Sequence, residues 1–301
     1  MFDKFPTFLL VIISLVAGTC VQALLNYYSK SITSRKDGIY FYTAAISFIA
    51  MIFITLFNEF KLVFSPIAII YGCVFGLLIL INTVSVGKAV AVGPLGYTTI
   101  IVNFSTIITA FSGFVIWHES VSFYKYIGLI FIAISFILSV NTESDDKKGS
   151  FKWIAFSVIG MLSSALIGLT QKTFRTYNGE ELLPTFLVVS FFFSMVSSLV
   201  MSFVSGRKEE QNLFKVIFRD KKSTGITLCV VACAGLCTSL IHVINLKLVG
   251  LLPTVMAFPI INGGTLLLTL LSSFVIFREK LTKKQTVGLL SGIVAFAFLC
   301  L

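Results

Sequence analysis

Apolar runs recur from one end of this chain to the other, separated by short polar gaps. They fall at roughly 7–28, 39–57, 66–87, 95–117, 123–140, 152–173, 182–204, 225–246, 252–277 and 284–301. A bilayer core about 30 Å thick is crossed by about 20 helical residues. Each run therefore predicts a membrane-crossing helix. The apolarity is continuous rather than alternating, which excludes a β-barrel. The run at 7–28 is led only by Lys4 and is closed by no small-x-small cleavage site, so it reads as a helix rather than a removable signal. The longest polar stretches are 141–151 and 205–224, and the first is the natural seam.

The two sides of that seam repeat one another. Residues 114–119 read Phe-Val-Ile-Trp-His-Glu, and residues 274–279 read Phe-Val-Ile-Phe-Arg-Glu. Val92-Gly93 and Val249-Gly250 precede these phrases, and Gly128 and Gly288 follow them. A shift of 159 positions pairs Lys88 with Lys247, Asn103 with Asn262 and Thr106 with Thr265. One further residue brings Glu119 onto Glu279, and a shift of 142 pairs Gly18 with Gly160 and Lys30 with Lys172. Five runs per half is an odd number, so the second half enters the membrane from the opposite side. The expected fold is all-α integral membrane, with ten transmembrane helices in two inverted five-helix repeats, 1–145 and 146–301.

Composition narrows the class. The chain is 57% hydrophobic and 12% charged with mean hydropathy +0.99, whereas soluble domains carry about 25% charged residues. A net charge of +10 does not indicate nucleic acid, because the basic residues sit in the gaps, where they act as topology signals and headgroup contacts. Of 23 Lys and Arg, 17 fall on one side. The positive-inside rule makes that side cytoplasmic and puts both termini on the extracytoplasmic side of a cell inner or plasma membrane. The six Cys lie in apolar runs, so no disulfide framework is expected. Cys229, Cys233 and Cys237 share a helix face but lack further ligands, and they read as small-residue packing, like Gly72-x3-Gly76 and Gly288-x3-Gly292. No metal or other cofactor is implied, and no phosphate-binding loop is present.

The halves, running from Val92-Gly93-Pro94 through Glu119 to Gly128 and from Val249-Gly250 through Glu279 to Gly288, resemble the drug/metabolite transporter (DMT) superfamily, and its EamA-type exporters in particular. The resemblance covers essentially the whole chain. It implies secondary transport of small metabolites, often export, through a cavity lined by both halves.

Candidate site residues follow from polar groups inside apolar runs, which are costly in lipid and usually face a cavity or partner helix. All thirteen acids fall at run ends or in loops, which argues against cation/proton antiport by a mid-membrane carboxylate. Pro253, Pro259, Gly263 and Gly264 interrupt the ninth run, and Pro94 and Gly96 open the fourth. Interrupted helices at matching positions of two repeats point to a substrate site. The expected substrate-binding set is Asn103, Thr106, Pro259, Asn262 and Thr265, with Gln22, Asn26 and His242 nearby. His242 is also a candidate proton carrier.

Lys88, Lys247, Glu119 and Glu279 are gate or structural candidates. The lysines either snorkel or touch substrate. The glutamates either cap the following helix or form a gate ion pair with a cation of the facing half.

The expected function is secondary transport of a neutral, zwitterionic or anionic metabolite, such as an amino acid, with export favoured. The expected partners are a small-molecule substrate, the lipid bilayer and a coupling proton or ion, with the chain a monomer or homodimer. The alternatives are uptake of an organic cation held by an aromatic cage, lipid flipping, and a membrane scaffold or enzyme. Two His in 301 residues make the enzyme the poorest of these.

Overall fold

A computed structural model describes residues 6–28, 32, 35–93, 95–119, 122–139, 150–206, 217, 221–275 and 282–300. Among them every regular element is helical. The elements are α1 (Thr7–Tyr27), α2 (Lys36–Phe57), α3 (Pro66–Val92), α4 (Leu95–Asn103), α5 (Ser105–Ile116), α6 (Phe123–Ser139), α7 (Phe151–Tyr177), α8 (Leu183–Gly206) and α9 (Lys221–Leu251). After them come α10 (Thr254–Phe258), a π-helical segment (Pro259–Gly263), α11 (Gly264–Val275) and α12 (Lys283–Cys300).

Among the described residues, eight helical segments are long and apolar enough to cross a membrane, and Phe123–Leu138 is a shorter apolar helix. The side chains are arranged as lipid demands. Large apolar groups such as Phe8, Val16, Ile70, Val200 and Phe203 are exposed, while Ser47, Ser157, Ser190, Ser194 and Ser198 are buried. A hydrophobic exterior around small polar contacts is the membrane solution, because apolar burial drives nothing in hydrocarbon. The chain is an all-α, multi-pass membrane protein.

Two compact units divide the chain. One holds residues 1–80 and 178–245, the other residues 81–177 and 246–301. Each draws on both sides of the sequence seam, and α3 and α9 pass from one unit to the other.

In the first unit α2 packs along α8. Ser202 Oγ donates to the Asp37 carbonyl at 2.7 Å, and Ser47 and Ser194 share a hydroxyl bond of 3.1 Å. These contacts make the two helices antiparallel. The Gly72-x3-Gly76 pair lets α3 approach α8 closely. A Cβ at Gly76 would lie 2.6 Å from the Ser190 carbonyl, and one at Gly72 would lie 2.7 Å from the Val189 side chain. Just after α1, Tyr28 meets Tyr42 with ring centroids 4.4 Å apart over Val230, Val231 and Ala234. Cys229 and Cys233, read as packing residues, are exposed, and Gly235 makes the close approach instead, against Ile46 and Ile49 of α2.

In the second unit α6 packs along α12, also antiparallel. Ser135 Oγ donates to the Gly288 carbonyl at 2.8 Å, while a Cβ at Gly128 would lie 3.1 Å from the Ala295 carbonyl. A shift of 160 carries Gly128 onto Gly288 and Ser135 onto Ala295. The contact is therefore reciprocal, as across a two-fold axis. Ala110, Val255, Leu129, Ile132, Phe136, Ala295 and Leu299 form the core of this unit.

Candidate functional site

The second unit contains two interrupted helices. The first is bent at Phe104, between α4 and α5. Its N–H is shared between the Ile100 and Ile101 carbonyls at 3.2 and 3.1 Å. The second begins after Pro253, runs through α10, widens at Pro259–Gly263 and resumes as α11. Pro259 cannot donate to the carbonyl four residues back, which is why the ladder widens there. The breaks coincide in the sequence alignment of the halves: a shift of 159 carries Ser105, where α5 begins, onto Gly264, where α11 begins.

The breaks bring predicted residues together. Asn262, exposed in the π segment, donates from Nδ2 to Oγ1 of the buried Thr106 at 3.2 Å. Asn103 ends α4 with its side chain half-buried, and Pro259 is buried. Thr265 turns its hydroxyl back to the Ile261 carbonyl at 2.7 Å. Lys88 is exposed, its Nζ 5.3 Å from the Phe156 ring centroid, and Lys247 is half-buried.

The remaining candidates belong to the first unit or fall outside the described residues. Gln22 is exposed on α1, and the Asn26 side chain is outside the described set. His242 stands edge-on to Phe191 and Phe75, with centroids 5.1 and 5.8 Å away, and Phe75 packs on Phe186. Glu279 and Lys30 lie outside the described residues.

Glu119 does something the sequence did not indicate. It caps not the helix that follows it but α10, 135 positions later. Its Oε2 accepts the Thr254 N–H at 2.6 Å and its Oε1 accepts the Thr254 hydroxyl at 2.7 Å. Pro253, at the capping position of α10, supplies no side-chain bond of its own. Lys172 of α7 completes the group. Its Nζ lies 3.1 Å from Glu119 Oε1, donates to the Val249 carbonyl at 3.0 Å, and stands 6.0 Å from the Trp117 ring centroid. The two side chains are 10% and 17% exposed, so water screens the pair little.

Local backbone makes the reach possible. His118 takes φ 50°, and the Glu119 N–H returns to the Gly113 carbonyl at 3.1 Å. Gly113 is bare because a Cβ there would lie 2.6 Å from Glu119 Oε2 and 2.7 Å from Thr254. Sequence reasoning weighed both a cap and an ion pair for Glu119 but missed Thr254, Trp117 and the role of Lys172. The available signal was Lys172 itself, a cation inside an apolar run with an acid at a helix end to pair with.

Other polar groups join helices. Asn82 of α3 donates to the Gly160 carbonyl at 2.9 Å, and Ser14 of α1 donates to Asn245 Oδ1 at 2.6 Å. The Val-Gly steps expose backbone to α7: Trp153 covers Gly93 and Arg175 covers Gly250. Among the described residues no three His, Cys, Asp or Glu groups are placed to hold a metal ion.

Among solved structures, 28 chains match this one. One, described only as "Crystal structure of protein", has a TM-score of 0.67 at 10% identity and covers 97% of this chain and 98% of its own. At that identity the likeness shows the fold alone. No family model matches the chain, and no curated protein matches it.

Proposed function

We propose that this chain is a secondary active transporter of a small metabolite, working by alternating access between two inverted five-helix repeats of the EamA type in the DMT superfamily. Ten spans, both termini extracytoplasmic and a cell inner or plasma membrane complete the reading. One observation carries it: two helices of the same unit are interrupted at repeat-equivalent positions, with Asn262 bonded to Thr106 across the repeats. Broken backbone in a membrane protein persists where it is buried in protein or lines a cavity, and such a pair of breaks is where carriers hold substrate. Inversion is supported by antiparallel pairing of equivalent helices, α2 with α8 and α6 with α12, and by the antiparallel course of the two interrupted spans, where Thr106 and Gly113 of one meet Asn262 and Thr254 of the other.

The polar groups at the breaks are neutral, which favours neutral or zwitterionic solutes such as amino acids, with export favoured by the family resemblance. Purified protein in proteoliposomes is expected to exchange at least one solute from a panel of amino acids, purines and sugars, with quaternary amines as the cation arm. Asn262→Ala is expected to cut that exchange at least tenfold, the scale of a lost contact near 1.4 kcal/mol, at unchanged membrane abundance. Folded protein that exchanges no panel member overturns the transporter reading, and full activity of Asn262→Ala moves the site elsewhere.

A further inference from the structure

We propose that Glu119 is a movable latch: a positioning residue that fastens the start of the broken helix in one access state and releases it when the protein switches. This rests on the transporter reading above and adds to it the element that is held and let go.

Three features distinguish Glu119 from a static cap. First, it joins separate elements. The carboxylate stands beyond the end of α5, its two hydrogen bonds reach the first residue of α10, and its ion pair reaches α7. A cap on its own helix would constrain nothing else. Here the start of α10 cannot shift from α5 without breaking both bonds to Thr254.

Second, release leaves no charge stranded. Lys172 holds the Val249 carbonyl as well as Glu119, so each partner keeps an interaction when Thr254 leaves. Removing one member of a buried ion pair is costly because it leaves an uncompensated charge. Parting Glu119 from Thr254 while Lys172 stays avoids that cost, which suits a contact that must break in every cycle.

Third, the fastened element lies between two irregular joints. Pro253, extended at ψ 144°, and Leu252 separate α10 from α9. The π segment bounds α10 at its other end. A short helix between two irregular joints can turn without unwinding its neighbours, because hinge positions absorb the backbone change. Gly113 leaves room for Thr254 to seat, and the left-handed His118 turns Glu119 toward it.

The shift that pairs Asn103 with Asn262 pairs Thr254 with Leu95, which has no hydroxyl.

The test uses the full chain in lipid nanodiscs and in proteoliposomes. Amide hydrogen exchange of the peptide covering 253–262 reads the latch without any substrate. Glu119→Gln and Thr254→Val should each raise exchange there about tenfold, the worth of one or two lost hydrogen bonds. Peptides from α2 and α8 should be unchanged, and Thr254→Ser should behave as wild type. In counterflow of a panel amino acid, Glu119→Gln should change Vmax and leave KM within about twofold, because it touches a conformational step rather than the solute. Unchanged exchange at 253–262 in both variants overturns the latch. So does exchange raised equally throughout the chain, or an unaltered Vmax in Glu119→Gln when the wild-type protein transports. A wild-type protein that moves no solute fails at the earlier step and removes the transporter reading and the latch together.

Discussion

The two interrupted helices occupy equivalent places in the repeat yet are built differently. The first bends at one residue, Phe104, without proline, and its amide still finds two carbonyls. The second carries Pro253 and Pro259, a five-residue π segment, and an outside carboxylate fixing its start. An aligned position therefore does not set how wide the break is; the prolines of the second helix do. The wider break exposes Asn262, whereas Asn103 beside the tight one is half-buried. In the transport reading the second break does the moving and the first is the surface it moves against.

The difference between the two helices is lost most completely if the wide break loses its fastening. Lys172→Ala would leave the Glu119 carboxylate without its cation in a shielded place. A cost of about 3 kcal/mol is expected, the low end for severing a buried pair, read as a lower Tm in detergent. An unchanged Tm would make the pair incidental.

Pro259→Ala acts in the opposite direction. It restores a backbone donor and removes the ring that the helical ladder must avoid, so the wide break should tighten toward the geometry at Phe104. Stability should rise by about 1 kcal/mol, less than the roughly 3 kcal/mol that proline costs in a regular helix. Exchange transport should fall despite the gain, and a variant that is more stable and fully active would separate the π segment from function.

The smallest effect is expected away from both breaks. Ser135→Ala removes the bond to the Gly288 carbonyl at the α6–α12 contact. Interhelical bonds of this kind average about 0.6 kcal/mol in membranes, and transport should not change. A large transport defect there would show that the reciprocal helix pair, and not only the breaks, takes part in switching.

Much of the fold could be read along the chain because the bilayer imposes a local rule. Length and continuous apolarity mark a span whatever packs against it, and the helices begin and end within a few residues of the apolar runs. The second break was also readable, since proline and glycine act on their own backbone, but the turn at Phe104 has neither nearby, and the sequence pointed instead to Pro94 and Gly96 at the start of that run. Other features depend on partners far away in sequence. The buried stripe Ser190, Ser194 and Ser198 of α8 looks like any mix of small polar residues until α2 and α3 are packed on it. The Cys229-Cys233 face looked suited to packing, but Gly235, on another side of the same helix, makes the contact.

Sequence alone determined that this chain lives in a membrane, that it is helical, and that the helix carrying Pro253 and Pro259 must break. Those properties follow from hydropathy, segment length and backbone chemistry, which act within a few residues. Only the tertiary structure decided that Glu119 serves Thr254 rather than its own following helix, and that Lys172 is its counter-ion. A carboxylate at a helix end accepts whatever donors the fold brings within 3 Å, and folding selects that donor from anywhere in the chain.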